Sequence, residues 1–268
     1  MEWLEDTEAL HELLCWGLIA FGVASGILLL CSDLRAPYGR WFSSQQQAWW
    51  WGSASLPARA AWMTQELPAL LFPLYMAASH SQQLQLQPDP RTCIAAAFLL
   101  HYTNRSLIYP LRLRGGKRTA LTVWAMAALF CCCNGFLQGW CLLAHLPPGA
   151  AWAPHHVLGL GLWAAGCAAN MHCDSLLRNL RQSTGDTGYK IPRGGLFEYV
   201  SAANYAAESL EWVGYAIACG TASLAPWAFV LATVCNLAPR ARSHHAWYKQ
   251  RFGAAYPASR RAFIPYVW

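Results

Sequence analysis

Seven apolar windows punctuate the chain, near residues 13–31, 62–79, 93–111, 120–143, 157–177, 199–218 and 222–239. Each approaches the ~20 residues that a helix needs to cross the hydrocarbon core of a bilayer. The first, LLCWGLIAFGVASGILLL, is the most uniform. The segment before it, MEWLEDTEALHE, is acidic where a cleaved signal peptide would be basic, so the window is read as a true span. The pattern predicts an all-α membrane protein with seven transmembrane helices.

Polar residues recur inside these windows at helical spacing. Tyr102, Arg105 and Tyr109 fall at i, i+3 and i+7; Asn170, Asp174, Arg178 and Arg181 follow one face of the next polar stripe. Asn204, Glu208 and Glu211 form a third stripe, and Arg240, His244 and Tyr248 a fourth. Gln65 and Glu66 sit together in AAWMTQELPALLFPLY. A charged group inside a span costs ~2.5–3.5 kcal/mol on insertion scales, which makes each one a functional expectation. The economical arrangement points all four stripes, with Gln65 and Glu66, into one shared cavity. Asp174 and Arg178 are spaced to pair at i, i+4. Arginines still outnumber the acids beside them, and surplus buried cation calls for an anion from outside the chain. A phosphorylated cofactor fits, because the guanidinium fork matches phosphate oxygens. The loop QSTGDTGYKIPRGGLFEYV adds Gly185, Gly188, Gly194 and Gly195 for close backbone approach, with Tyr189, Lys190 and Arg193 as contacts.

Composition agrees with the pattern. The chain is 56% hydrophobic and 12% charged, against about 25% charged in a typical soluble domain. Basic residues cluster after spans one (Arg35, Arg40, Arg59), three (Arg112, Arg114, Lys117, Arg118), five (Arg178, Arg181, Lys190, Arg193) and seven (Arg240 to Arg261). That alternation places the N-terminus in the lumen and the C-terminus in the cytosol. The net charge of +6 is thus a topology signal, and no nucleic-acid partner is expected. The eleven cysteines lie mostly within spans, as in Cys131, Cys132 and Cys133, and read as small hydrophobes. No metal is expected: paired ligand spacing is missing, and His172 and Cys173 diverge on a helix. GLGLWAAG lacks both the spacing and the preceding strand of a dinucleotide fingerprint, so its glycines are read as helix packing.

QELPALLFPLY, HYTNRSLIYP, NMHCDSLLRNLR, GDTGYKIPRGGLFEYVSAANY, ESLEWVGYA and HHAWYKQRF together resemble the steroid 5α-reductase family, most closely its type 1 branch. The resemblance runs in order from about Leu56 to the C-terminus; before that only PYGR matches loosely. It implies a multi-pass enzyme of the endoplasmic reticulum membrane that uses NADPH to reduce the C4–C5 double bond of a 3-oxo-Δ4-steroid such as testosterone or progesterone. One membrane-embedded domain that functions as a monomer is expected: 1–55 for the first span and linker, 56–150 for substrate-side helices, 151–268 for the NADPH region. Glu66 and Tyr102 would hold the 3-keto oxygen, with Gln65 beside them. Arg105, Tyr109, Asn170, Asp174, Arg178, Arg181, Tyr189, Asn204, Glu208, Trp212, Arg240, His244 and Tyr248 would hold the cofactor. Which group protonates C4 stays open. Cys173 stands where the family usually has Ser, and Thr103-Asn104 replaces a more aromatic or basic pair. Two alternatives use the same pattern: a related membrane reductase of enoyl thioesters or polyprenals, and a seven-helix receptor that binds an amphipathic ligand without turnover.

Overall fold

The computed structural model describes residues 2–32, 41–42, 52–79, 88–180 and 189–268. Among the described residues the seven apolar windows fold as seven helical rods. These are α1 (Glu2–Cys31), α2 (Ala58–Ser79), α3 (Pro90–Thr103) continued by a π turn into α4 (Tyr109–Arg112), α5 (Leu121–Trp140) with a π turn at its end, α6 (Pro154–Asn179), α7 (Ala203–Cys219) and α8 (Ala225–Phe252). The last helix runs thirteen residues beyond the window that predicts it, and this extension carries Arg240, His244 and Tyr248. Two short strands, β1 (Ser55–Leu56) and β2 (Thr119–Ala120), pair antiparallel and tie the start of α2 to the start of α5. Arg118 reinforces the tie through the carbonyl of Ser55 at 2.6 Å.

Two helical stretches, Asp6–Cys31 and Leu121–His145, are long and apolar enough by themselves to cross a membrane. Polar stripes dilute the others. Large apolar side chains face outward on several rods, including Leu13, Trp16, Tyr75, Leu129, Val157 and Leu158. That exterior is the inverse of a soluble surface and suits lipid.

Small residues set the helix spacing. A Cβ on Gly166 would lie 2.4 Å from the backbone nitrogen of Glu211, and one on Gly159 would lie 2.3 Å from that of Ala218. The backbones of α6 and α7 therefore touch, as expected where lipid provides no hydrophobic drive and close packing must supply it. Gly161 faces nothing within 4 Å. Gly22 and Gly26 seat α1 on α8 at Ala232 and Cys235, and Gly135 and Gly139 seat α5 on α2. The core they enclose is aromatic: Phe98, Tyr102, Trp212, Tyr215 and Phe229 form one cluster between α3, α7 and α8.

At one end of the molecule Asp89 caps α3. Its carboxylate accepts from Thr92 N at 2.8 Å and from Gly149 N at 2.6 Å, and Pro90 follows at the first helical position. Burial alone would raise this carboxyl, but those two amides with the Thr92 hydroxyl and Arg91 outweigh it and hold it below its usual value.

Candidate functional site

The interior polar groups stack from the centre of the helix bundle to one end. Innermost is Tyr102 on α3, buried among Phe98, His101 and Trp212 with ring centroids 4.8–5.8 Å away. Its hydroxyl accepts a hydrogen bond from Asn134 Nδ2 on α5 at 3.1 Å. Asn134 Oδ1 accepts in turn from Gln138 Nε2 at 3.1 Å, and the same nitrogen reaches the carbonyl of Ala225. This chain fixes which way the Asn134 amide points. Because Tyr102 accepts from Asn134, its own proton is left to donate elsewhere.

Gln65 and Glu66 approach the same zone from α2, where Gln65 is buried and Glu66 half-buried. Cys131 Sγ lies 3.8 Å from Glu66 Oε2, and Glu66 is within electrostatic reach of Tyr102 and Arg105. Pro68 and Pro73 interrupt the same helix. Lacking N–H groups, they release the carbonyls of Thr64 and Ala69 from the helical ladder, an irregularity that a membrane helix tolerates inside a bundle.

One layer further, Arg105 Nη1 donates to Asp174 Oδ2 at 3.2 Å, and Nη2 lies 3.9 Å from Glu208 Oε2. Its guanidinium stands 4.9 Å from the ring centroids of both Trp62 and Tyr109. Asp174 therefore forms its ion pair with Arg105 on another helix; Arg178, the i, i+4 partner that the spacing predicts, is only within electrostatic reach and donates to the hydroxyl of Ser175 at 3.0 Å. Close contact between α6 and α7 makes a second knot. His101 Nδ1 sits 2.6 Å from Glu211 Oε1, and Asn170 Nδ2 sits 3.5 Å from Glu211 Oε2. The buried Oδ1 of Asn170 has no hydrogen-bond partner among the described residues.

The outer end opens into a cavity of about 260 Å³. Seven of the residues expected to hold the cofactor line it: Tyr109, Asp174, Arg178, Tyr189, Asn204, His244 and Tyr248. Arg112, Arg114 and Lys190 add positive charge, and Ser201 and Tyr205 complete the wall. Arg240 reaches the wall through Tyr205, donating to its hydroxyl at 3.2 Å, and His244 Nε2 lies 3.3 Å from the same oxygen. His245, next along α8, bonds Ser201 Oγ at 2.6 Å; burial, with Lys249 and Arg261 nearby, holds its imidazole below the usual value. The lining suits a polyanion, and the orphaned Asn170 oxygen is an acceptor suited to an amide. These features fit a phosphorylated nicotinamide cofactor.

A family model described as 3-oxo-5-alpha-steroid 4-dehydrogenase matches residues 117–268. The chain belongs to this family. It is 48% identical to the human 3-oxo-5-alpha-steroid 4-dehydrogenase 1 over 215 residues, covering 80% of this chain and 81% of the relative. It is 44% identical to the bovine type 1 protein over 252 residues, 92% of this chain and 93% of the relative. Against the human type 2 protein identity is 40% over 248 residues, with 92% and 93% covered. Family members are membrane oxidoreductases, and their chemistry implies a nicotinamide cofactor.

Within this dehydrogenase the sequence-derived residues divide by depth. Glu66, Gln65 and Tyr102 lie at the inner end, Arg105, Asn170 and Glu208 in the middle, and the seven cavity residues toward the outer end, with Tyr109 and Asp174 reaching back to Arg105. Trp212, expected with the cofactor set, is 1% exposed and packs against Tyr102 and His101 in the aromatic wall. Arg181, Gly185 and Gly188, with Arg35 and Arg40, lie outside the described residues. Sequence reading left Asn134 and Gln138 unremarked, although two amides at i, i+4 in an apolar span carry the same signal as the other stripes. Ser201 and Tyr205 had no signal before the fold placed them.

Proposed function

We propose that the protein is an NADPH-dependent 3-oxo-Δ4-steroid 5α-reductase, crossing the endoplasmic reticulum membrane seven times with its cationic cavity toward the cytosol. The observation that carries this reading is the continuous polar column, which joins an aromatic chamber at Tyr102 and Glu66 to a cationic mouth through Arg105, Asp174 and Glu208. All of these groups come from one chain, so a monomer suffices.

Arg178, Tyr189, Asn204, Arg240, His244 and Tyr248 would hold the nucleotide at the mouth, and Arg105, Tyr109, Asn170, Asp174 and Glu208 would hold its inner half. Arg181 belongs with the first group by its sequence position. When bound, NADPH supplies the hydride that reduces C5. Negative charge then develops on the 3-keto oxygen, and the Tyr102 hydroxyl, held by Asn134, donates to it. A preorganised donor of this kind is worth ~10²–10³ in rate. Glu66, beside Tyr102, orients the phenol or relays its proton, and Gln65 adds a neighbouring polar contact. Trp212 and Phe98 form an apolar wall that keeps water from this oxygen and strengthens the bond.

Microsomes containing the chain, supplied with testosterone and NADPH, are expected to form 5α-dihydrotestosterone, with NADH a much poorer donor because the extra phosphate gains from arginine. Turnover of an enoyl thioester or polyprenal but no steroid would assign the alternative substrate class. Steroid binding without any NADPH-dependent product would assign a receptor.

A further inference from the structure

A second cluster of chemistry-bearing side chains lies at the opposite end of the bundle from the cationic mouth. Glu8 and His11 project from the first turns of α1, and His145 closes the π turn (Cys141–His145) that ends the α5 rod. Their ligand atoms all lie within 4.8 Å of one another. His145 Nε2 is 3.2 Å from Glu8 Oε1, and His11 Nδ1 is 3.9 Å from the same oxygen. The two imidazoles lie 5.3 Å apart, tilted by 31°.

We propose that Glu8, His11 and His145 form a binding site for a divalent transition metal, zinc foremost, that clips α1 to α5 at the lumenal end.

Three observations support it. First, each imidazole leaves one buried nitrogen, Nε2, without a hydrogen-bond partner among the described residues. His11 is 3% exposed; the Leu137 backbone engages its ring, but Nε2 has no hydrogen-bond partner among the described residues, and Nε2 of His145 has only the ion-pair contact with Glu8. A buried imidazole in that state is expensive unless something else engages it. Second, the carboxylate is already oriented. Trp140 Nε1 donates to Glu8 Oε2 at 2.9 Å, as an outer partner does for a ligating carboxylate. Third, the donor set is selective: two imidazoles and one carboxylate suit zinc and its neighbours, whereas magnesium and calcium prefer all-oxygen cages. Ligand atoms around tetrahedral zinc stand roughly 3.3 Å apart, given bonds of about 2.0–2.1 Å. Rotating the exposed Glu8 side chain and the imidazoles contracts the cluster to that size. Glu8 remains 47% exposed, which leaves an approach for the ion and a place for a water as fourth ligand.

The test uses the full chain purified in detergent with a tag free of histidine. Zinc chloride is expected to raise its apparent Tm by about 5 °C at a hundredfold excess over the dissociation constant, while magnesium has no effect. His11→Leu and His145→Leu should each abolish the zinc-dependent rise, and Trp140→Phe should weaken zinc binding about tenfold. Glu8→Gln guards against misfolding: it keeps an acceptor for Trp140, and NADPH-dependent steroid turnover should be unchanged while zinc binding weakens. Cobalt(II) should give the visible absorption of a four-coordinate site in the native protein and not in His145→Leu. No zinc-dependent rise in the native chain, or an equal rise in both histidine variants, overturns the proposal.

Discussion

Tyr102 accepts a hydrogen bond from a side-chain amide, and this makes it a donor toward the interior. Glu66 and Arg178 sit at opposite ends of the column, so their substitutions should separate kinetically. Glu66→Gln is expected to lower kcat with testosterone by about 10²-fold while NADPH affinity is kept. Arg178→Ala should instead weaken NADPH binding by about tenfold or more, since a hydrogen bond to a charged group contributes roughly 1.5–3 kcal/mol. Steady-state kinetics with nucleotide titration reads both, and an unchanged kcat in Glu66→Gln would remove that carboxyl from the mechanism. The interior polar residues were legible in the sequence because a polar group in an apolar window is costly and must have a reason. Their partners were not. The i, i+4 rule directs Asp174 to Arg178, yet Arg105 lies across the helix interface with both Asp174 and Glu208 in reach, and a two-sided contact outweighs a one-sided one.

At the scale of elements, two irregularities shape the site. The π turn Asn104–Ile108 widens the helix just before Pro110, where the missing N–H would in any case break the ladder; the N–H of Tyr109 bonds the carbonyl of Asn104 instead. Arg105 stays buried and Leu107 and Ile108 turn outward. No periodicity in the sequence announces this extra residue per turn. A close helix contact on α6 was announced by the glycines of GLGLWAAG, though not that α7 would be the partner. Gly166→Leu is expected to push Glu211 away from Asn170 and His101, costing about 1–3 kcal/mol or more, whereas Gly161→Leu should be nearly silent because nothing lies within 4 Å of it. Apparent Tm of the two variants in detergent, side by side, checks the contrast.

For the whole molecule, acid should loosen both ends. At the cavity end, His245 has a folded-state pKa below its unfolded value of about 6.5. Its neutral form is favoured in the fold, so its contribution is complete above about pH 6.5 and is lost as pH falls below it. Asp89 at the other end and Glu198 near the cavity are both held low. For Glu198 the Gly194 amide is the main cause, with Arg260 assisting against burial, and the stability these carboxylates contribute is lost only at still lower pH. His156 at the other end is likewise held low by burial and by His155, so a melting series from pH 7.5 to 5.5 should decline, and His245→Gln should make that portion shallower without abolishing it, while leaving the decline below pH 4.

Taken by itself, the sequence determined the number and order of the helical rods, the apolar exterior, and the chemical types gathered within, because a bilayer permits little backbone other than helix and penalises each stray charge. Only the tertiary structure decided which groups meet. Asn134 reaches Tyr102, Ser201 and Tyr205 enter the cavity wall, and Glu8 finds His145 across 137 residues of chain. Those meetings depend on how closely glycines let neighbouring backbones approach and on where π turns shift the register. Both are properties of pairs of helices, and a pattern along one helix does not contain them.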